Sequence, residues 1–255
     1  YEHCTNQRPS PLAQSKPGTG FHRWLSRNVS EHKVPGYAAV TVTLKRIGAE
    51  PGDATSHEMR ILAELAEDYS FAELRITYQQ NVVLPHVPQR DLRAVYERLR
   101  DADLATPNRG LVTDIISCPG LDYCTLATAR SIPIAQRIAD RFSDAQRQED
   151  IGPLDVKISG CINACGHHHA GHIGILGLEK RGQEYYQLTL GGDASENPAI
   201  GERAGRGFSS EEVVDAVERV VEHYVVSRQR GETFIETMRR EGLEGFKEAL
   251  YATHR

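Results

Sequence analysis

The stretch LDVKISGCINACG, residues 154–166, decides the fold of the second half of the chain. Its first six residues predict a strand, and the strand runs through Gly160 into a C-x3-C pair, Cys161 and Cys165. A C-x5-C pair lies upstream in CPGLDYC, residues 118–124, directly after a second predicted strand over 111–116. Each cysteine pair therefore begins where a strand ends, which is the edge at which open α/β sheets place their ligand sites.

Four thiolates on two loops are the ligand set of a cubane iron–sulfur cluster or of a structural zinc ion. Zinc ligands are usually spaced C-x2–4-C, so the C-x5-C pair favours the cluster. A run of three histidines, residues 167–169, follows the last cysteine and could complete a zinc site. Both metals remain open on spacing alone. Four free thiols are disfavoured, because cysteine pairs set among glycines serve no packing purpose.

Length and composition bound the remaining classes. The chain has 255 residues, which favours two domains over one. A net charge of -5 gives no reason to expect nucleic acid, and no apolar run is long enough to cross a bilayer. The chain begins with Tyr1 rather than Met, so we expect a fragment or a processed product. Five cysteines are too few and too clustered for a secreted disulfide framework, which indicates the cytoplasm, with Cys4 an ordinary thiol.

We divide the chain into a lead-in or linker segment over 1–33, a ferredoxin-like domain over 34–108 and a metal-binding domain over 109–255. The first domain follows the order β-α-β-β-α-β, with a capping box at Thr55 and Glu58 before its first helix and Pro88 opening its second. Its predicted strands cover residues 37–47, 71–78, 82–85 and 111–116. The fold class is therefore α+β, a ferredoxin-like half-domain followed by an α/β iron–sulfur domain.

The second domain is predicted to continue with a helix from 124 to about 142, interrupted at Pro133. Strands are expected over 172–178 and 185–190, and the run SSEE at 209–212 is expected to cap a long helix.

The two cysteine motifs and a third stretch, RITYQQN over residues 75–81, together resemble the siroheme-dependent nitrite and sulfite reductase family. The resemblance covers the chain from about residue 33 onward and corresponds to the carboxyl-terminal half of the family's haemoprotein. It implies a siroheme and a [4Fe–4S] cluster, with Cys165 serving also as the axial ligand of the siroheme iron. The implied cluster ligands are Cys118, Cys124, Cys161 and Cys165. The implied cofactor-binding residues are Gln80, Asn81, Asn163 and His167.

Plainer interpretations of these residues stay open. Turn chemistry alone accounts for an Asn at Asn81 or Asn163, and the histidine run could be a solvated loop.

The resemblance implies an assimilatory sulfite reductase that reduces sulfite to sulfide with six electrons; nitrite reduction to ammonia is the alternative. A cluster-only electron-transfer module and a zinc-stabilised binding domain are further alternatives. The family has two homologous halves and one is found here, so we expect a missing amino-terminal half of the same protein as partner. The chain alone is expected to hold its cluster poorly and to have little activity. No dinucleotide fingerprint follows a strand, so the electron donor is expected to be ferredoxin or a separate flavoprotein.

Overall fold

The computed structural model describes Cys4, Lys16 and residues 18–252. The chain divides into two compact units between Arg109 and Gly110, called unit 1 and unit 2 below. None of the helices in the described part of the chain has both the length and the apolarity that a membrane crossing requires.

Unit 1 is a four-stranded antiparallel sheet in the order β1-β2-β4-β3, packed against helices. Its elements are α1 (Gly20–Asn28), β1 (Val29–Glu31), β2 (Tyr37–Val42), α2 (Ser56–Tyr69), β3 (Arg75–Ile76), β4 (Val82–Pro88) and α3 (Leu92–Asp101). The predicted capping box is present: Thr55 accepts from the Glu58 backbone N–H, and the Glu58 carboxylate accepts from the Thr55 backbone N–H. The sequence therefore located the start of α2 correctly, because a cap depends on residues three positions apart.

The lead-in prediction is wrong for its described part, because α1 and β1 lie within it. Phe21 and Trp24 on α1 are buried in the core of unit 1, with Trp24 0% exposed. β1 pairs antiparallel with β2 and forms one edge of the sheet. The proline positions of the lead-in, Pro9, Pro11 and Pro17, lie outside the described residues.

The ferredoxin-like fold class is confirmed with one change of strand. The expected closing strand over 111–116 is reduced to β5 (Ile116–Ser117), and it belongs to the sheet of unit 2. The fourth strand of the unit 1 sheet is instead β1, which comes from the other end of the domain sequence. Strand pairing joins residues that are far apart in the chain. The local pattern over 111–116 therefore did not reveal to which sheet this strand belongs.

Unit 2 contains a five-stranded sheet in the order β5-β6-β7-β8-β9. Its remaining elements are α4 (Ile132–Arg141), α5 (Ala145–Ile151), β6 (Val156–Ser159), β7 (Ile173–Lys180), β8 (Gln183–Leu190), β9 (Glu202–Arg203), α6 (Val213–Ser227), α7 (Phe234–Glu241) and α8 (Leu243–Tyr251). β5, β6 and β7 run parallel, whereas β8 and β9 pair antiparallel. The apolar faces of α4 and α6 enter one continuous core with this sheet.

The helix predicted from 124 onward is shorter than expected. α4 begins only at Ile132, and Pro133 lies in its first turn, where proline costs no hydrogen bond. The residues before it form an irregular loop whose backbone bonds to the second cysteine loop, with the N–H groups of Thr128 and Ala129 both donating to the Gly160 carbonyl at 2.9 Å.

A half-buried histidine makes the stability of unit 2 depend on pH. His172 Nδ1 accepts a hydrogen bond from the Asp155 backbone N–H at 3.1 Å, and its ring stacks on Phe234 at 5.9 Å. A protonated Nδ1 cannot accept, and burial lowers the pKa of His172 from its ordinary value of 6.5. The unfolded chain therefore binds a proton that the folded chain does not, and this contribution to stability is lost as the pH falls below about 6.5.

We expect the urea unfolding free energy of the protein to decrease from about pH 7.5 to about pH 5.5, with a slope that His172→Gln reduces. The matched control is His57→Gln, which removes an exposed histidine and should leave the slope unchanged. Equal slopes in the wild type and His172→Gln would contradict this account.

Candidate metal centre

The two cysteine loops leave the sheet of unit 2 side by side. β5 and β6 are adjacent and parallel, with Ser117 opposite Ile158, so Cys118 and Cys161 follow their strands at the same edge. The Cys118 backbone N–H donates to the Ile158 carbonyl at 3.1 Å and extends the pairing into the loop. The prediction that each pair begins at a strand end is therefore confirmed for both pairs.

Hydrogen bonds connect the loops at the first cysteine. The Gly160 backbone N–H donates to Cys118 Sγ at 3.0 Å, and Ser131 Oγ lies 3.4 Å from the same sulfur. An amide that donates to sulfur stabilises a thiolate and a negatively charged cluster behind it.

Three glycines allow this close packing. Gly120 has φ +58°, and a Cβ at Gly120 would lie 2.6 Å from the Ser131 backbone nitrogen. A Cβ at Gly160 would lie 2.6 Å from the Ala129 carbonyl oxygen and 2.8 Å from Gly120 Cα. Gly166, directly after Cys165, has no space for a Cβ because the Ile158 carbonyl occupies it. The cysteine loops are thus held in place by backbone contacts that only glycine permits.

The four thiols are not equally accessible. Cys118 and Cys161 are each 7% exposed, Cys124 is half-buried and Cys165 is exposed. The exposed sulfur lies in a loop with two left-handed residues, Ala164 at φ 56° and His167 at φ 54°. The loop conformation therefore directs the last cysteine outward while the other cysteine of its pair faces inward.

The four loop thiols are not gathered as closely as a single zinc ion requires. Tetrahedral zinc with four thiolates requires sulfur atoms about 3.8 Å apart. Among the described residues, which include all four cysteines, no three of these thiols approach one another within 4.8 Å. A cubane spreads its thiolates more widely, because each one binds a different iron.

The histidine run divides into an exposed and a buried member. His167, which the sequence analysis singled out, is exposed. His168 is 8% exposed, and its Nδ1 has no hydrogen-bond partner within the described part of the chain. Burial lowers the pKa of His168, which keeps the ring neutral near pH 7. Buried polar atoms normally have a hydrogen-bond partner. The Nδ1 of His168, three residues after Cys165, could therefore bond a polar group of a bound cofactor.

Gln80 and Asn81 belong to unit 1, in the turn between β3 and β4. Asn81 is 1% exposed, and its Oδ1 accepts from the Leu44 backbone N–H at 3.2 Å. The side chain therefore links this turn to the segment that follows β2, 37 positions earlier in the chain, and this contact is not one within the turn itself. Gln80 has φ 59° and packs where Gly52 leaves space, since a Cβ at Gly52 would lie 2.8 Å from Gln80 Cβ.

Sequence reasoning missed one polar group that contacts this turn, Lys45, which follows β2. It is 2% exposed and donates to the Gln79 carbonyl at 2.7 Å. A lone Lys after a strand carries no signal in the sequence, because surface lysines are common in that position.

Two parallel strand ends that carry four cysteines define unit 2 as a candidate iron–sulfur domain. Residues 110–255 match the family model described as the nitrite and sulphite reductase 4Fe-4S domain. Residues 33–102 match the nitrite/sulfite reductase ferredoxin-like half domain. The chain therefore belongs to the nitrite and sulfite reductase family, whose cofactors are a [4Fe–4S] cluster and siroheme.

Several proteins of known identity are similar to this chain. A ferredoxin–nitrite reductase of Synechococcus elongatus is 30% identical over 178 residues, which is 67% of this chain and 34% of the relative. Sulfite reductase [ferredoxin] 2 of Mycolicibacterium paratuberculosis is 27% identical over 203 residues, covering 75% of this chain and 36% of the relative. The chain thus spans about a third of the length of these relatives.

Solved structures agree with the fold. The NirA protein of Mycobacterium tuberculosis superposes with a TM-score of 0.70 at 25% identity, covering 86% of this chain and 41% of that protein. Dissimilatory sulfite reductase I superposes with the same TM-score of 0.70 at 11% identity, and this likeness shows the fold alone.

Proposed function

We propose that this chain is the second half of an assimilatory sulfite reductase that reduces sulfite to sulfide. In this proposal the four loop cysteines bind the [4Fe–4S] cluster, and Cys165 also binds the siroheme iron. The observation that carries it is the contrast in burial: Cys118 and Cys161 are 7% exposed, whereas Cys165 is exposed. A thiolate that serves two metals must be open on the side away from the cluster, and Cys165 is the only one of the four classed as exposed.

The loops also carry apolar side chains that are unusual for a surface. Four large hydrophobic residues on or between the cysteine motifs are exposed, and Ile162 reaches 80%. They are Leu121, Tyr123, Leu126 and Ile162. A flat tetrapyrrole or the apolar surface of another protein half would cover such residues, which supports a cofactor and a partner at this face.

When bound, the siroheme and cluster supply the six-electron redox chemistry. The chain's own residues hold and tune them. The Gly160 amide that donates to Cys118 Sγ stabilises negative charge at the sulfur and raises the reduction potential of a cluster there. His168 is neutral, and its Nδ1 has no partner among the described residues, so it is suited to bond a cofactor group or to pass a proton, and reduction of sulfite consumes protons.

We extend the proposal to the other residues named from the sequence. Asn163 is exposed between the paired cysteines and is proposed to contact the cofactors, as is Gln80 in unit 1. His167 is exposed and stays a proposed contact. For Asn81, which is almost fully buried, we propose a positioning role, holding the turn that presents Gln80.

Nitrite reduction to ammonia is the second candidate, since a relative at 30% identity is a nitrite reductase. Relatives of both kinds are named for ferredoxin, which supports ferredoxin over a flavoprotein as the proposed electron donor. The chain spans about a third of these relatives, which supports an amino-terminal half as its proposed partner. We propose the cytoplasm as its location.

The test is a siroheme titration of the anaerobically purified chain, with and without a reconstituted cluster. If Cys165 serves both metals, a loaded cluster fixes the thiolate and should raise siroheme affinity at least about tenfold. Cys4→Ser should retain this gain and Cys165→Ala should lose it. Equal siroheme affinity in Cys165→Ala and wild type would contradict the shared ligand.

Turnover is measured in the same samples with a reduced viologen dye and each anion in turn. We expect little turnover by the chain alone, because the proposal requires an amino-terminal half as its partner. Full sulfite turnover by the chain alone would contradict the proposed need for a first half. Greater turnover of nitrite than of sulfite, once a first half is supplied, would replace the first candidate by the second.

A further inference from the structure

Unit 1 contains a second group of metal-binding side chains. Cys4 Sγ, a nitrogen of His32 and a nitrogen of His86 all lie within 4.8 Å of one another. His32 Nε2 is 3.0 Å from His86 Nδ1, and Cys4 Sγ is 4.0 Å from the same nitrogen. His32 directly follows β1 and His86 lies within β4, so the strand framework fixes the two rings relative to each other.

The orientation of His86 suits a metal ligand. Its Nε2 lies 3.1 Å from Glu73 Oε2, and Arg75 Nε donates to the other carboxylate oxygen at 2.6 Å. The carboxylate holds the ring proton on Nε2, so the lone pair of Nδ1 faces Cys4 and His32. A carboxylate on the far nitrogen is the arrangement that orients most metal-binding histidines and increases their basicity.

His32 can offer its nitrogen to an ion by exchanging one backbone hydrogen bond at Val34 for another. Its Nδ1 lies 2.9 Å from the Val34 backbone nitrogen and 3.3 Å from the Val34 carbonyl oxygen. Without an ion, Nδ1 accepts from the Val34 N–H, and Nε2–H donates to His86 Nδ1. With an ion, the proton moves to Nδ1 and is donated to the Val34 carbonyl, so Nε2 presents a lone pair.

Aromatic rings surround the histidine pair. The Tyr37 ring is 5.7 Å from His32, the Phe71 ring is 6.0 Å from His86, and the two aromatic rings are 5.9 Å apart. Phe71 holds this position with φ 53°, a left-handed conformation that is uncommon for a bulky residue. Tyr37 is buried and Phe71 is exposed, so the two rings shield the histidine pair only in part.

We propose that Cys4, His32 and His86 bind a zinc ion that links Cys4 to the strands β1 and β4 of unit 1. One thiolate and two neutral imidazoles are a ligand set that zinc favours. Tetrahedral zinc requires about 3.3 Å between two nitrogens and about 3.5 Å between sulfur and nitrogen. The nitrogen–nitrogen separation of 3.0 Å and the sulfur–nitrogen separation of 4.0 Å at His86 are close to these values. The three side chains leave a fourth position for water. This proposal is independent of the proposed reductase function.

The experiment uses the full chain with its cluster reconstituted, so that the four loop cysteines do not take up zinc. The titration solutions are kept free of copper, because copper outcompetes zinc at most nitrogen and sulfur sites. We expect one equivalent of tightly bound zinc in the wild type and in the control His57→Gln, which removes an exposed histidine from the same unit. Cys4→Ser, His32→Gln and His86→Gln should each weaken zinc binding at least about tenfold.

Two further measurements separate loss of the site from loss of the fold. Zinc should raise the thermal midpoint of the wild type and of His57→Gln, but not of Cys4→Ser, whose far-UV spectrum should match that of the zinc-free wild type. The zinc titration is then repeated in two further proteins, Cys161→Ala and the double variant Cys161→Ala with Cys4→Ser, in which the loop site is disrupted. The protein that retains Cys4 should again bind zinc more tightly than the protein with Ser at this position. If Cys4→Ser leaves the zinc affinity unchanged, both in the otherwise wild-type chain and in Cys161→Ala, the proposal is overturned and the zinc is adventitious.

Discussion

Cys161→Ala is expected to lower the iron and acid-labile sulfide content of the anaerobically reconstituted chain at least about tenfold. Cys161 is 7% exposed and follows β6, so no other cysteine can take its place without rearranging a strand end. A cubane cluster uses one thiolate for each iron, so the loss of one ligand weakens retention of the whole cluster. The measurement is iron and sulfide per chain, taken directly after reconstitution.

The matched control for this loss is Cys4→Ala, which removes the one cysteine in unit 1. It should keep the iron and sulfide content of the wild type, although it should lose the zinc proposed above. Wild-type iron and sulfide in Cys161→Ala would mean that the loop cysteines are not the cluster ligands.

Gly160→Ala is expected to lower the free energy of unfolding by about 1–3 kcal/mol and to weaken cluster retention. The added methyl would lie 2.6 Å from the Ala129 carbonyl oxygen, 2.8 Å from Gly120 Cα and 2.9 Å from Ser131 Oγ. Two of these atoms belong to the backbone, so a side-chain rotation cannot relieve them. Moving the loop also lengthens the bond from the Gly160 amide to Cys118 Sγ, now 3.0 Å.

Gly245→Ala is the control for this effect. Gly245 lies within α8, and the atom nearest to an added Cβ is His223 Nε2 at 3.5 Å, an ordinary contact. Alanine is the better helix former, so this variant should be neutral or more stable by about 0.5–1 kcal/mol in urea unfolding. Equal unfolding free energies for the two variants would show that the loops have space that the structure does not indicate.

Features set by neighbouring residues were predictable from the sequence. The capping box at Thr55 and Glu58 gave the start of α2, and the strand before Gly160 gave the position of the second cysteine loop. The two cysteine motifs carried the family resemblance, which the family models confirm over 33–102 and 110–255. In each case the signal lies within a few residues, where backbone geometry relates sequence distance to spatial distance.

Features set by distant residues were not predictable. The buried Trp24 packs against Tyr96, 72 positions further along the chain, so no local pattern revealed its burial. Cys4 and His86 are 82 positions apart, so no motif spacing could join them.

The central claim is that the loop cysteines of unit 2 hold a [4Fe–4S] cluster. The most direct measurement is the content of iron, acid-labile sulfide and zinc in the anaerobically reconstituted Cys4→Ser variant, which lacks the second candidate metal site. The account predicts about four irons and about four sulfides per chain with no tightly bound zinc. One zinc per chain without sulfide would contradict it.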